Sequence, residues 1–397
     1  MAKIMAVNAG SSSLKFQLLD MPAETLITSG IVERIGMNDS VFTIKFNGEK
    51  LVETKDIDNH AVAVKMLLDK LIDLKIIESF DEIEGVGHRI VHGASVITKS
   101  TIITEKEIEV LESIIDLGPL HLGPNLTGIR AFREVLPHVT QVGVFDTAFH
   151  QTMPEESFLY AVPYDWYERY QVRKYGFHGT SHKYVSERTA ALLGKKPEEV
   201  NVIVCHIGNG ASICAVKQGK SVDTSMGFTP LEGIPMGTRS GNVDPAVIEY
   251  MMNKKGKSAK EITNVLNKLS GYIGVSGVSS DSRDLVAASE AGNHRAQLAI
   301  DIQAKRIADY VASYYVYMGG ADAIVFTAGI GENAASTRAN VIERVKVLGA
   351  EIDPVRNNCR GVEQLISTDE SKIKVFVVPT NEEVMIARDT LELIHAQ

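Results

Sequence analysis

Short apolar runs broken by polar turns fill the start of the chain: Lys3 to Val7, Leu14 to Leu19 and Leu26 to Val32 read as strands, with "DMPAE" marking the second turn. This pattern predicts a three-stranded antiparallel meander. It returns at an offset of 200 as "VIVCHIGNGASICAVKQGKSV", again strand, Gly-rich turn, strand, polar turn, strand, with Gly10 and Gly210 in equivalent places. Further segments pair in the same way. "IEGVGHRIVHG" (83–93) and "ADAIVFTAGIGEN" (321–333) are β-branched runs that end in Gly-containing turns. "QVGVFDTAF" (141–149) and "KVFVVPTNEEV" (374–384) are apolar strands that end in short acidic loops. Two halves of one architecture are the expectation.

Amphipathic helices separate these strands. Thr104 and Glu107 have capping-box spacing ahead of Ile108, Leu111 and Ile115, and Ser258 with Glu261 repeats the cap before "ITNVLNKLSG". A long helix over 291–318 is predicted with Leu298, Ile302, Ala308 and Val311 on one stripe, and another helix is expected to start at Asn333. Strand meanders followed by alternating helices and strands specify a mixed sheet with helices on its faces. Two such domains meeting at a cleft would gather the strand-end turns in one place.

At 397 residues the chain suits two domains, and its 44% apolar content is ordinary for a globular protein. A formal charge of −9 argues against non-specific nucleic-acid binding, which asks for a basic face. No run approaches the roughly 18 apolar residues of a membrane span, so a soluble cytoplasmic protein is expected. Cys205, Cys214 and Cys359 are odd in number and lack CxxC spacing, which points to buried thiols.

The turns carry the candidate chemistry. In "NAGSSSLK" a glycine lets backbone approach a ligand, Ser11, Ser12 and Ser13 supply donors, and Lys15 adds a positive charge, an inventory suited to phosphate. A strand follows it, so it is not a P-loop. "HIGNGAS" is its counterpart, and "TAGIGENA" adds a third glycine turn whose following helix would offer an N-terminus to phosphate. Arg89, Arg239 and Arg283 sit in loops among small residues, where guanidinium can grip carboxylate or phosphate. Asp146, Glu382 and Glu383 stand at strand ends; Asp146 is expected to face a cleft, and helix capping is the plainer reading of each. His178 and His182, four apart, have helical metal-ligand spacing without a third ligand nearby.

Taken in order, "VNAGSSSLKF", "GHRIVHG", "LGPLHLGPN", "VFDTAFH", "YGFHGTSH", "HIGNGAS", "GIPMGTRSGNVDP", "TAGIGENA" and "PTNEE" run from Val7 to Glu383, and this series closely resembles the acetate kinase (acetokinase) family. The resemblance implies an α/β fold of duplicated actin-like ATPase (ribonuclease H-like) domains. Each would be a mixed five-stranded sheet with helices on both faces, with ATP in the interdomain cleft. It implies a first domain over 1–149 plus 382–397 and a nucleotide-binding second domain over 150–381.

By the same resemblance, Asn8 and Glu382 would hold Mg²⁺, with Mn²⁺ as a substitute and Glu383 as the alternative carboxylate. Ser11, Ser12 and Lys15 would meet the nucleotide phosphates. The nucleotide pocket would come from His206, Ile207, Gly208, Asn209 and Gly210, from Asp281, Ser282 and Arg283, and from Gly329, Ile330, Gly331, Glu332 and Asn333. Arg89 would bind the substrate carboxylate in a small pocket of Val91, Leu120, Phe177 and Pro230, while His178 and Arg239 stabilise the transferring phosphoryl. Asp146 would act near the acceptor. A carboxylate acceptor is already ionised near neutral pH, so Asp146 reads better as orienting a partner than as removing a proton. The implied reaction is reversible, Mg²⁺-dependent in-line transfer between ATP and acetate by a cytoplasmic homodimer without nucleic-acid or membrane partners. A propionate or butyrate kinase is the near alternative, and an ATP-gated clamp or filament protein the distant one.

Overall fold

The computed structural model describes residues 2–396, apart from the side chains of Pro119 and Leu120. The chain forms two compact units, one comprising residues up to Phe149 together with Asn381 onward, the other His150–Thr380.

The first unit is built on an eight-stranded sheet. Its strands are β1 (Ala2–Ala9), β2 (Ser13–Met21), β3 (Thr25–Glu33), β4 (Ser40–Phe46), β5 (Glu49–Lys55), β6 (Ile83–Ile90), β7 (Thr101–Ile102) and β8 (Thr140–Phe145), in the order β5-β4-β3-β2-β1-β6-β8-β7. β1 to β5 form an antiparallel ladder, while β6 runs parallel to β1 and β8 parallel to β6. The helix His60–Asp73 turns Val64, Leu67 and Leu71 onto Leu14, Leu18 and Phe42, and Phe132 of the helix Pro119–Val135 joins the same core. The helix Glu382–His395 packs on β1, β6 and β8, and it comes so close to β6 that a Cβ on Gly85 or Gly87 would overlap Ile394 or Thr390. Glycine is required there by close approach rather than by backbone angle.

The second unit carries β9 (Asn201–Ile207), β10 (Ala211–Lys217), β11 (Lys220–Thr224), β12 (Ala323–Thr327), β13 (Gln364–Leu365) and β14 (Lys374–Val377), ordered β11-β10-β9-β12-β14-β13. Its strip β11-β10-β9-β12-β14 repeats β3-β2-β1-β6-β8 of the first unit strand for strand, antiparallel through the hairpins and parallel across the rest. The repeat predicts two halves of one architecture, and the shared strip is that duplication; the five strands per sheet implied by the family resemblance are exceeded, at eight and six. β4, β5, β7 and β13 extend it. β5 escapes a pattern reading because each of its seven residues is exposed, so it has no buried face to alternate.

Both expected capping boxes are present, at Thr104 with Glu107 and at Ser258 with Glu261. The long helix is His294–Met318, capped by the Asn293 carboxamide on the Ala296 N–H at 3.1 Å. Its inward stripe corrects the expectation: Leu298 is exposed, whereas Ala299, Gln303, Ala304, Ile307, Ala308 and Val311 are buried. Small residues let this helix approach its neighbours closely, and Leu298 stands one position off that face. Cys205 and Cys214 are buried, Cys359 only partly, and all three are free thiols.

Candidate functional site

The first unit presents its chemistry at the β1–β2 turn. The ladder sets Asn8 directly opposite Lys15. Gly10 donates its N–H to the Ser13 carbonyl at 2.8 Å, and the turn is held from outside by the Ile35 N–H on the Ser12 carbonyl at 2.9 Å. Two side chains missed by motif reading finish the job. His60 places Nε2 2.8 Å from the Gly10 carbonyl, and because a carbonyl only accepts, the ring proton there is on Nε2. Asn125 donates Nδ2–H to the Ala9 carbonyl at 3.1 Å and accepts the Val91 N–H at 3.2 Å, tying the serine turn to the segment after Arg89. Asn125 lies inside the quoted "LGPN", but His60 had no signal at all.

Arg89 on β6 is clamped by Asp146, which follows β8. Nε donates to Oδ1 at 3.0 Å and Nη2 to Oδ2 at 2.7 Å, a fork-on-carboxylate geometry. Glu382 Oε2 stands 3.7 Å from Nε. The guanidinium's proton affinity is raised chiefly by the Asp146 charge. Asp146 is buried, and the ion pair with Arg89 is what makes that burial tolerable.

Asn8, Lys15, Arg89, Glu382 and Glu383 line one cavity of about 220 Å³. Both glutamates start the helix Glu382–His395, whose cap is the Asn381 carboxamide on the Val384 N–H at 3.1 Å. Burial, followed by the neighbouring Glu382, raises the proton affinity of Glu383. An amide and two carboxylates are hard oxygen donors of the type Mg²⁺ takes, and a cavity between them fits such an ion. Among the described residues no three His, Cys, Asp or Glu side chains form a metal cage by themselves. Val91 is half-buried behind Arg89, and the Leu120 side chain lies outside the described residues.

In the second unit His178 stands at the N-cap of the helix Gly179–Leu192 with φ 56°, a left-handed conformation uncommon for a residue with a side chain. Such strain persists only where the surroundings over-determine it. Here His150 Nε2 lies 2.9 Å from the carbonyl of buried Phe177, and the His178 ring stacks on His206 with centroids 4.1 Å apart. The β9–β10 turn closes by the Gly208 N–H on the Gly210 carbonyl at 3.1 Å. A Cβ on Gly210 would stand 3.4 Å from Arg239 Nη1 and 3.7 Å from His178 Nε2, so both donors converge on this turn. Arg239 also reaches the Pro230 carbonyl at 3.4 Å, and burial lowers its proton affinity. Asn209 accepts the Gly237 N–H on its carbonyl at 3.1 Å, and a Cβ on Gly237 would overlap the Asn209 side chain. The "GIPMGTRSG" loop is therefore assembled on "HIGNG".

The other nucleotide-pocket candidates are largely engaged with one another. Asp281 caps the helix Ser282–Glu290 through the Arg283 N–H at 2.8 Å and pairs with Arg283 Nη2 at 2.6 Å, an exposed pair in which Arg283 holds the carboxyl down to about 2. Gly329 to Asn333 belong to the short helix Ala328–Asn333, and the helix expected from Asn333 starts two residues later, as Ala335–Val345. The Glu332 carboxylate stabilises that turn by accepting the N–H of Ala328 at 2.8 Å and of Thr380 at 3.2 Å, and Asn333 donates to the Gly329 carbonyl at 2.9 Å. Ile330 packs on the cluster around Tyr272 and Leu285. Arg338, fully buried, donates to the Gly331 carbonyl at 2.9 Å and to Asn357, fixing the glycine turn from behind. Nothing in the local pattern marks this arginine.

His88, His92 and His150 are buried, and burial pushes each imidazole down to about 4. The unfolded chain, with imidazoles near their ordinary value, binds more protons between about 6.5 and 4. Stability should accordingly be full above about 6.5 and fall as pH drops towards 4, by up to about 1.4 kcal/mol per pH unit for each group. Thermal melts at pH 7, 6 and 5 should show Tm falling at each step; a flat Tm would mean that these rings titrate normally.

The model for the acetokinase family matches residues 3–388. An acetate kinase from Anoxybacillus flavithermus is 58% identical over 99% of both chains. The crystal structure of an acetate kinase from Porphyromonas gingivalis superposes with a TM-score of 0.95 at 47% identity, covering 99% of this chain and 100% of that one. A propionate kinase from Francisella tularensis does so with a TM-score of 0.93 at 43% identity and the same coverage.

Proposed function

This chain belongs to the acetokinase family, and we propose on that premise that it moves the γ-phosphoryl group of ATP reversibly to acetate, giving acetyl phosphate and ADP by direct in-line transfer. It is a phosphotransferase with a carboxylate acceptor. The observation that supports the assignment most strongly is Arg89, clamped along one edge by both oxygens of Asp146 and set in a cavity with Asn8, Lys15 and Glu382.

In this reading Arg89 neutralises the acetate carboxylate while Asp146 fixes the direction of the guanidinium. Ser11, Ser12 and Lys15 take phosphate oxygens, and Arg239 with His178 meets the charge that builds on the transferring phosphoryl. Asn8 and Glu382 hold Mg²⁺, which when bound offsets charge shared by the β- and γ-phosphates. "HIGNG", Asp281 to Arg283 and Gly329 to Asn333 frame the nucleotide, and Val91, Leu120, Phe177 and Pro230 limit the size of the acid. Cytoplasmic location and a homodimer complete the proposal. No helix is long and apolar enough to cross a membrane among the described residues, and the net charge of −9 favours no nucleic-acid partner.

Trapping with hydroxylamine tests the activity: ATP and acetate together should yield acetohydroxamate, and no hydroxamate would overturn it. The propionate kinase likeness keeps a second acid in view. One methylene is worth only about 1–3 kcal/mol, so kcat/KM across acetate, propionate and butyrate decides the preference. Glu382→Gln should raise the Mg²⁺ concentration for half-maximal rate more than Glu383→Gln does. The reverse order would move the metal carboxylate by one residue.

A further inference from the structure

Behind His178 lies a buried polar group that the proposed chemistry does not use. Ser212 on β10 is fully buried, and its Oγ stands 2.9 Å from His178 Nδ1 and 2.7 Å from His182 Nε2. His178 and His182 are thus joined through one hydroxyl, which explains their spacing of four without a metal. His182 is itself fully buried in the helix Gly179–Leu192, and its Nδ1 meets no hydrogen-bond partner among the described residues. Burial, then His150 and His206, holds its proton affinity well below the ordinary imidazole value, so the ring is neutral.

A hydroxyl has one proton, which leaves three arrangements. With the proton of His182 on Nδ1, its Nε2 would accept from Ser212, and a buried N–H would have no acceptor. If both rings donated to Ser212, the hydroxyl proton would be the orphan. Only one arrangement leaves every buried proton paired: His182 Nε2–H donates to Ser212, and Ser212 O–H donates to His178 Nδ1. Its single orphan is a lone pair on His182 Nδ1, and unpaired acceptors are tolerated better than unpaired N–H groups. The His178 proton is then on Nε2, an atom that, like Arg239 Nη1, faces Gly210.

We infer that His182 is a positioning residue that acts through Ser212, whose hydroxyl donates to His178 Nδ1 and so keeps the His178 proton on Nε2, its donor aimed at the transferring phosphoryl group. The catalytic consequence rests on the role proposed for His178; the tautomer rests on the hydrogen-bond geometry and on a neutral His182. The partner nitrogen's hydrogen bond is what selects a histidine's tautomer, and a wrong tautomer offers a lone pair where a donor is needed.

Nitrogen-15 NMR of the histidine-labelled full chain tests the tautomer directly, with the His178 and His182 signals assigned by their loss in His178→Ala and His182→Met. Both rings should show the proton on Nε2, and His178 should show an accepting Nδ1. A proton on Nδ1 of either ring would overturn the inference. Kinetics tests the consequence through a double-mutant cycle. Ser212→Ala and His182→Met should each lower kcat about tenfold or more, as partial loss of an aimed donor does, with KM for ATP and acetate changing much less. In a His178→Ala background neither should cost anything further. Equal losses in both backgrounds would make these residues merely structural and overturn the positioning role. A His178→Ala variant with unchanged kcat would instead overturn the function given to His178, leaving the tautomer to the nitrogen signals.

Discussion

Arg239→Ala is expected to lower kcat by about 10³-fold while leaving the fold intact, the scale seen when an arginine that meets a transferring phosphoryl is removed. In-line transfer between ATP and a carboxylate brings negative charge together from acceptor, phosphoryl and leaving group, so a cation aimed at the centre acts mostly in the transition state. Arg239 suits that role because little else holds it. It makes one long hydrogen bond, 3.4 Å to the Pro230 carbonyl, and it approaches the Met236 sulfur at 3.6 Å. No carboxylate pairs with it among the described residues, and burial lowers its proton affinity. Steady-state rates with saturating ATP and acetate, together with a melting curve, check the claim. Added guanidinium should restore part of the lost rate. A loss below about tenfold, or a large fall in Tm, would make Arg239 a packing residue.

Asp146→Asn separates two roles for that carboxylate. The Asp146 fork accepts two charge-assisted hydrogen bonds from Arg89, each worth about 1.5–3 kcal/mol, so the variant should lose about 10- to 100-fold in kcat/KM for acetate. The loss should appear mainly in KM for acetate, because a misdirected guanidinium weakens the grip on the acceptor. The pH dependence of kcat/KM should keep its shape, since acetate is ionised near neutrality and no proton needs removal. Disappearance of one limb of the pH profile in the variant would show instead that Asp146 exchanges a proton. Stability should also fall, because Arg89 keeps only more distant anions, Glu382 at 3.7 Å and Glu383 beyond it.

The architecture was legible because it is written twice. Meander, glycine turn and crossover strand recur at an offset of 200, and the same five-strand order appears in both units. Glycine turns and the arginines beside small residues also stood out, because close approach and bidentate grip each demand one residue type. Residues that act across sequence distance were not legible. His60 meets Gly10, Asn125 links Ala9 to Val91, and Arg338 reaches Gly331 and Asn357, each through a contact with no local period or spacing. The His178 and His182 spacing was visible, but its meaning was not, because the third member is a serine on a neighbouring strand. Glu332 is a motif residue whose carboxylate is engaged with the Ala328 and Thr380 N–H groups, a contact the motif did not disclose.

The helix Glu382–His395, seated against Gly85 and Gly87, has a consequence for how the molecule is made. Phe149 leaves the ribosome well before Asn381, with all of His150–Thr380 translated between them. At roughly 5–20 residues per second that interval lasts roughly 10–50 s. Throughout it the nascent first unit has β1, β6 and β8 laid out without the helix that covers them, and it lacks both Glu382 and Glu383. The unit translated first is thus the one whose sheet waits longest for its cover, and the two carboxylates at the metal-type cavity join Asn8 only after all of His150–Thr380 has been translated.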